Sequence, residues 1–438
     1  MASMPAAPNG NLSAHLNSAA QRYRDLFRDR NSATLLLAAI FSAVGDWLNF
    51  VAVVIIASRL GVDELAVGGA LAIRFVPRLV FQGPAGALVD RFPGRGLLAL
   101  SQLALAIIAA GFLLLDVLPQ DWLLFVLIFL LETVYTIARP AFAVQVLRVV
   151  PKDRRGNANA VLGFGLTAAQ FIGGWFGGLL LGAFGDGPLF VINSLSFLAL
   201  AGVVMTIQGA TGTVPDAESD DSPVPVSTPM PTSPPEQAIE ASAGGYARLL
   251  RLPDVLPYLV QQVSVVVLIQ AAVALFVARS DELGRDVADT GLFIAMVGLG
   301  LLLGSVLGGI GQYLHPSALV IVALAELASG VALVIFGWLD SLPLALLMLV
   351  GTGVGSAVSE VAGSTYFQHQ LPQSIYGRFY SLYLLAFWVG GLTGSLLGPV
   401  LHLGQSVGAT LLIVAVPTVV SSIWLWRHAE RLRQTQQR

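Results

Sequence analysis

Cysteine is absent from the 438 residues, which excludes disulfides, thiolate metal ligands and thiol redox chemistry. Lysine is almost absent. Lys152 is the one lysine among 23 basic residues, and Asp153 follows it, so no Gly-Lys-Ser/Thr phosphate loop exists. Charge of either sign is scarce: charged residues make up 11% of the chain, where soluble domains carry about 25%. The net charge of −3 offers no basic surface for nucleic acid. Histidines stand at 15, 315, 369, 402 and 428, no two within a helical turn, so no metal site is expected. No GxSxG, HExxH or catalytically spaced acid pair occurs, which argues against an enzyme and against a cofactor.

What is abundant is hydrocarbon. Hydrophobic residues reach 55% and mean hydropathy is +0.77. Stretches 97–115, 156–185, 187–215, 255–278, 290–325 and 379–426 contain no Asp, Glu, Lys or Arg. A bilayer-crossing helix needs about 20 mostly apolar residues. Dividing the runs at their Gly, Pro and polar breaks predicts twelve spans, near 33–58, 65–89, 97–115, 122–147, 158–184, 188–208, 256–278, 290–313, 317–338, 343–367, 378–401 and 406–427. Residues 1–31 read as a polar tail without a signal-peptide pattern, and 428–438 as a second tail. With both termini inside, 17 of the 23 basic residues fall in cytoplasmic segments, as the positive-inside rule requires. This topology suits a multi-pass protein of a bacterial-type inner membrane.

Residues 209–247 interrupt the pattern. They are rich in Pro, Ser and Thr with several acids, a composition expected to form a disordered cytoplasmic linker. It divides the chain into two six-span bundles, 32–208 and 248–427. A weak repeat relates the halves. Pro151-x4-Gly156 precedes span five and Pro372-x4-Gly377 precedes span eleven. The same offset superposes Gly173 on Gly394, Gly177 on Gly398 and Arg139 on Glu360. Each glycine pair is a small-xxx-small step suited to close helix packing.

The segment GALVDRFPGR, which holds Gly86, Asp90, Arg91 and Arg95, resembles the signature between spans two and three of the major facilitator superfamily. Pro93 stands where that pattern has glycine, and Gly94-Arg95 come one place late. Gly173, Gly177 and Gly178 in span five resemble the antiporter motif GPxxGG, with Gly174 in place of its proline. With Arg74, Pro77 and Arg78, Arg139-Pro140, Asn157, Asn159, Asn193 and Gly377-Arg378, the chain is similar to the branch containing the enterobactin exporter and macrolide-efflux proteins. The resemblance covers spans one to eleven. It implies an all-α fold of twelve spans in two pseudo-symmetric bundles, with spans one, four, seven and ten around a central cavity. It also implies a monomeric, proton-coupled exporter of small, drug-like molecules working by alternating access. Export of one siderophore or metabolite is an alternative, as is a transporter-like sensor or scaffold.

Charges in hydrocarbon cost about 2.5–3.5 kcal/mol or more and mark cavities or partners. Asp46 in span one is the first candidate proton carrier, with Arg74 as its switching partner; the alternative is a permanent Asp46–Arg74 pair that locks packing. Glu132, Tyr135 and Arg139 share one face of span four. They form either a substrate and proton face with Asn49, or a structural pair of Glu132 with Arg74 or Arg78. Arg139 and Glu360 are expected either to meet across the cavity as an inner gate or to leave Glu360 solvated. The resemblance implies a conformational lock in which Asp90, beside Arg91 and Arg95, reaches the start of span eleven near Gly377 and Arg378; the alternative is that Arg91 and Arg95 only anchor the cytoplasmic side. Gly173, Gly177 and Gly178 are expected either to pack tightly against a helix of the other half or to serve generic helix packing. Glu326 is expected to hydrogen-bond a neighbouring helix. Trp47, Phe50, Tyr135, Tyr380, Tyr383 and Trp388 are candidates for an apolar pocket, or else core.

Overall fold

A backbone in hydrocarbon must satisfy its own hydrogen bonds, and a chain this apolar does so by folding into helices. The computed structural model describes residues 21, 23–60, 64–92, 94–207, 243–311 and 317–437. Among these, twelve helices are long and apolar enough to cross a membrane. In order they are Arg30–Arg59, Leu65–Arg91, Arg95–Asp116, Asp121–Val149, Lys152–Phe184 and Gly187–Thr206, then Val255–Ala274, Val287–Gly308, Ala318–Trp338, Leu342–Gln370, Ile375–His402 and Val407–Gln434. They are called spans one to twelve below. No strand occurs among the described residues.

Most boundaries match the sequence reading, with four informative differences. Span five begins at Lys152 rather than 158, because Lys152–Arg154 form a 3-10 turn leading into the helix. The last helix continues through 428–437, the stretch read as a tail, and His428 on that extension bonds Asp254 at 2.9 Å. A short helix, Ala243–Leu250, occupies the end of the segment read as linker; the rest of that linker, 209–242, lies outside the described residues. Span seven stops at Ala274, and Phe276–Glu282 continues as a separate short helix.

Span two is also divided, into Glu64–Ile73 and Val76–Arg91. Pro77 explains the break. It has no N–H to give the Ile73 carbonyl, so the helix opens at Arg74 and Phe75.

The two bundles repeat the same packing. In the first, span one packs on five and six, two on four, and three on four and six. In the second, seven packs on eleven and twelve, eight on ten, and nine on ten and twelve. Between halves, five packs on eight and two on eleven. Each pairing is the symmetry mate of another under a shift of six spans. The repeat at Gly173/Gly394 and Gly177/Gly398 is part of this pattern. A Cβ on Gly173 would meet Trp47 and the Val44 carbonyl of span one, and one on Gly394 would meet Val267 of span seven. Likewise Gly177 abuts Val51 and Gly398 abuts Ala271. Gly173 and Gly177 therefore pack within their own half, not across halves.

Gly178 does face the other half, and so does Gly174. Their added Cβ atoms would lie 2.5 Å from the Ala288 carbonyl and 2.8 Å from the Ala295 amide. The reciprocal glycine, Gly291, would meet the Gly174 carbonyl at 2.6 Å. Across the pseudo-symmetry axis, Gly68 of span two abuts Ser395 and Pro399 of span eleven. All these contacts lie in the parts of the spans away from the arginine-rich loops at 91–95, 148–155 and 378. Nearer those loops the halves part. Ala160, Gly163, Phe164 and Thr167 of span five then face Leu301, Ser305 and Val306 of span eight across a cavity.

The close approach is testable because the chain has no native cysteine. A Cβ on Gly182 would lie 3.7 Å from the Ala288 Cβ, within the range of about 3.5–4.5 Å that disulfides occupy. Gly182→Cys with Ala288→Cys should cross-link on mild oxidation, giving a joined peptide by mass spectrometry. Failure to cross-link would contradict the closed end.

Candidate functional site

Span four carries the centre of the site. Glu132, Tyr135 and Arg139 lie at i, i+3 and i+7 and fall on one face toward spans one and two. Glu132 is 1% exposed. Its Oε1 accepts from Arg74 Nε at 2.7 Å, and its Oε2 accepts from Arg78 Nη2 at 2.6 Å and Nε at 3.2 Å. The Pro77 break presents Arg74, and the turn after it presents Arg78. Phe50 of span one stacks under the Arg74 guanidinium at 4.6 Å. A carboxylate at this depth is tolerable only when paired and hydrogen-bonded, and two arginines achieve that. Glu132 is thus paired with both Arg74 and Arg78.

The direct Asp46–Arg74 pair is not made. Arg74 is occupied by Glu132, and Asp46 Oδ1 instead accepts the Tyr135 hydroxyl. Asp46 is then the one acid of the cluster without a bonded guanidinium. Asn49, one turn along span one, is buried, and its Oδ1 has no hydrogen-bond partner. Arg139 is exposed to the cleft, with its guanidinium 5.3 Å from the centre of the Tyr135 ring. Asp46, Asn49, Arg74, Glu132, Tyr135 and Arg139 line one small cavity of about 50 Å³, large enough to admit water.

A larger cavity of about 370 Å³ lies in the cleft between span five and spans seven, eight, ten and eleven. Glu360 of span ten opens onto it. Tyr258, Tyr376, Phe379, Tyr380 and Tyr383 form its aromatic wall. Tyr380 and Tyr383 are among the aromatics expected in a pocket. Tyr376 is an addition to them; it recurs with Tyr380 and Tyr383 at i, i+4 and i+7, so helical spacing carried the signal. Tyr258 had no such signal. It fits because Gly363 leaves room: a Cβ there would sit 2.6 Å from the Tyr258 hydroxyl.

Two expected contacts are not present in this conformation. Arg139 and Glu360 occupy equivalent positions in spans of equal length, Asp121–Val149 and Leu342–Gln370, but they form no ion pair with each other. Asp90 is exposed and Gly377 faces open space, so the lock at the start of span eleven is unmade. Arg95 Nη1 donates instead to the Ile207 carbonyl at 3.3 Å, and Arg91 lies 5.5 Å from the centre of the Phe92 ring. Arg378 is half-buried, next in sequence to the cavity-lining Phe379. The physical reason is common to both: the halves are apart at the arginine-rich end. Glu326 in span nine is buried beside the Ser359 hydroxyl of span ten, the kind of neighbour expected for it. Its Oε2 nevertheless has no hydrogen-bond partner among the described residues.

Comparison with known proteins agrees with this architecture. The chain matches the Major Facilitator Superfamily model over residues 35–350. It is 25% identical over 389 residues to the enterobactin exporter EntS of Shigella flexneri, covering 86% of this chain and 85% of that one. It is 26% identical over 182 residues to the uncharacterized MFS-type transporter YfiS of Bacillus subtilis. That match covers 41% of this chain and 42% of YfiS, less than half of either. The nucleoside transporter NupG superposes with a TM-score of 0.66 at 12% identity, covering 90% of this chain and 98% of NupG. A bacterial homologue of the human lysosomal transporter Spinster, solved inward-facing and unoccupied, superposes with a TM-score of 0.63 at 15% identity, covering 92% and 96%. With a family match over most of its length and twelve spans in two matching bundles, the chain belongs to the major facilitator superfamily and is a multi-pass membrane transporter.

Proposed function

We propose that this transporter exports small, largely hydrophobic molecules from the cytoplasm in exchange for protons, by alternating access. The observation that carries the reading is the cleft. It is an aromatic-walled cavity between the halves, open toward the arginine-rich end and closed at the other by glycine-mediated contacts. By the positive-inside rule the open end is cytoplasmic, with both termini inside, in a bacterial-type inner membrane. A cavity that fills from the cytoplasm suits export, and the distant relationship to an enterobactin exporter supports the same direction. The reading takes the protein as a monomer, since one chain supplies both halves of the cleft.

The proton would travel on Asp46. A carboxyl buried without an ionic partner can keep its proton, and it can release that proton when a guanidinium reaches it. Arg139 is the nearest candidate, because it shares the small cavity and has no carboxylate bonded to it. Glu132 differs in role. It fixes Arg74 and Arg78, and so the angle between spans two and four. On closure of the cytoplasmic side, Arg139 and Glu360 would meet and Asp90 would reach the start of span eleven, with Arg91, Arg95 and Arg378 around it. Rocking of two bundles about a midplane site supplies the motion.

A second reading, export of one siderophore-like metabolite by the same mechanism, is favoured by the EntS relationship. A panel of fluorescent lipophilic compounds in an efflux-deficient bacterium separates the two. Broad, protonophore-sensitive loss of accumulation supports the first reading; no change for any compound with the protein inserted supports the second.

The roles assigned to the two acids predict different mutant behaviour. Asp46→Asn should leave folding intact and abolish protonophore-sensitive efflux; retention of that efflux would remove Asp46 from the mechanism. Glu132→Gln leaves two guanidiniums in hydrocarbon without their carboxylate, a loss of about 3–5 kcal/mol. It should show as a lower melting temperature in detergent, and an unchanged melting temperature would contradict the structural role.

A further inference from the structure

Spans seven to ten hold acids without lysine or arginine; Arg378 of span eleven, beside Phe379, is half-buried and is not among the residues that line the larger cavity. Within spans seven to ten the charged membrane-interior residues are Glu326 and Glu360, and no Lys or Arg lies in those four spans. Glu360 opens onto the larger cavity, and among the described residues no Lys, Arg or His lines that cavity. Glu326 lies behind it, with Oε2 buried and unpartnered. A carboxylate at membrane depth is expensive unless a partner of opposite charge or water reaches it. The arginines of the first half do not fill that role. Arg74 and Arg78 are held by Glu132, and Arg139 lies against Tyr135 in the separate small cavity.

The wall around Glu360 is built of aromatic rings. Tyr258 and Tyr383 stack with ring centres 6.2 Å apart and planes 21° apart, and Tyr380 lies 5.9 Å from Tyr383. Tyr258 is also 6.0 Å from Phe379. Faces of tyrosine attract cations, more strongly when water is excluded, and clustered aromatics are a recognised receptor for quaternary ammonium groups. An anion would meet the same faces and the carboxylate with repulsion on both counts.

Resting on the exporter reading above, we infer that this cavity selects lipophilic monovalent cations. Glu360 supplies the counter-charge, and Tyr258, Tyr380 and Tyr383 supply the aromatic cage. Suitable ligands combine one permanent or amine-borne positive charge with aromatic or alkyl bulk that fits about 370 Å³. A neutral molecule of equal size gains the apolar contacts but not the charge pairing.

The test uses the full chain in lipid nanodiscs, with radiolabelled tetraphenylphosphonium as probe and empty nanodiscs as the partition blank. Methyltriphenylphosphonium and triphenylphosphine oxide are the competitors: they share three phenyl rings and differ in charge. The cation should displace the probe at a concentration at least about tenfold lower than the neutral oxide. Glu360→Gln should erase that preference, and Glu360→Asp should retain it. Equal displacement by both competitors in the wild-type protein overturns the inference and requires no variant to fold. A cation preference that survives in Glu360→Gln overturns it as well. Efflux of neutral compounds without cation preference would sink this inference and leave the exporter reading standing. Cation preference without efflux of any compound would do the reverse.

Discussion

The fork of two arginines on one buried glutamate organises the first half of this transporter. Glu132 is inaccessible to solvent and sits in the middle third of a span, so it must be neutralised from within. Arg74 and Arg78 do this from a single broken helix, and the break is enforced by Pro77. Once those three side chains are fixed, span four can present Tyr135 and Arg139 on only one face. That face meets Asp46 of span one. The arrangement leaves one acid on a hydroxyl and one arginine on a ring, each without an ionic partner bonded to it. A charge cluster of this kind has one part that is static and one that can exchange partners.

The second constraint is backbone proximity. Gly174, Gly178 and Gly291 bring spans five and eight together so closely that no side chain fits between them. The symmetry-related contact of Gly68 with Ser395 and Pro399 does the same for spans two and eleven. Both contacts lie toward one end. The halves part at the other end, which is where the aromatic cavity, exposed Asp90 and open Gly377 are found.

Much of this architecture is legible in the sequence because the bilayer imposes a length and a polarity on every span. Spans four and ten show how far that goes: each is a 29-residue helix, and the offset that aligns Arg139 with Glu360 aligns both ends as well. Pair contacts are less legible. Helical spacing places Glu132, Tyr135 and Arg139 on one face but does not say which neighbour that face meets. Charge alone therefore points Asp46 to Arg74, where the structure gives it a tyrosine. Span five shows the same limit. Four glycines within six residues imply close packing, but the direction of each depends on helix rotation, which composition does not encode. Gly174, a departure from the family pattern, faces the other half, whereas Gly173 and Gly177 face span one. Tyr258 cannot be found from spacing, since its place in the cavity depends on Gly363 more than a hundred positions away.

The central claim is that substrate leaves as protons enter. Its most direct test is proton movement in sealed proteoliposomes that contain the protein and an internal pH dye, at zero imposed gradient. Substrate added to one face should drive a saturable pH change in the lumen, and vesicles carrying Asp46→Asn should show none. Substrate uptake into the same vesicles with no accompanying pH change would contradict the account.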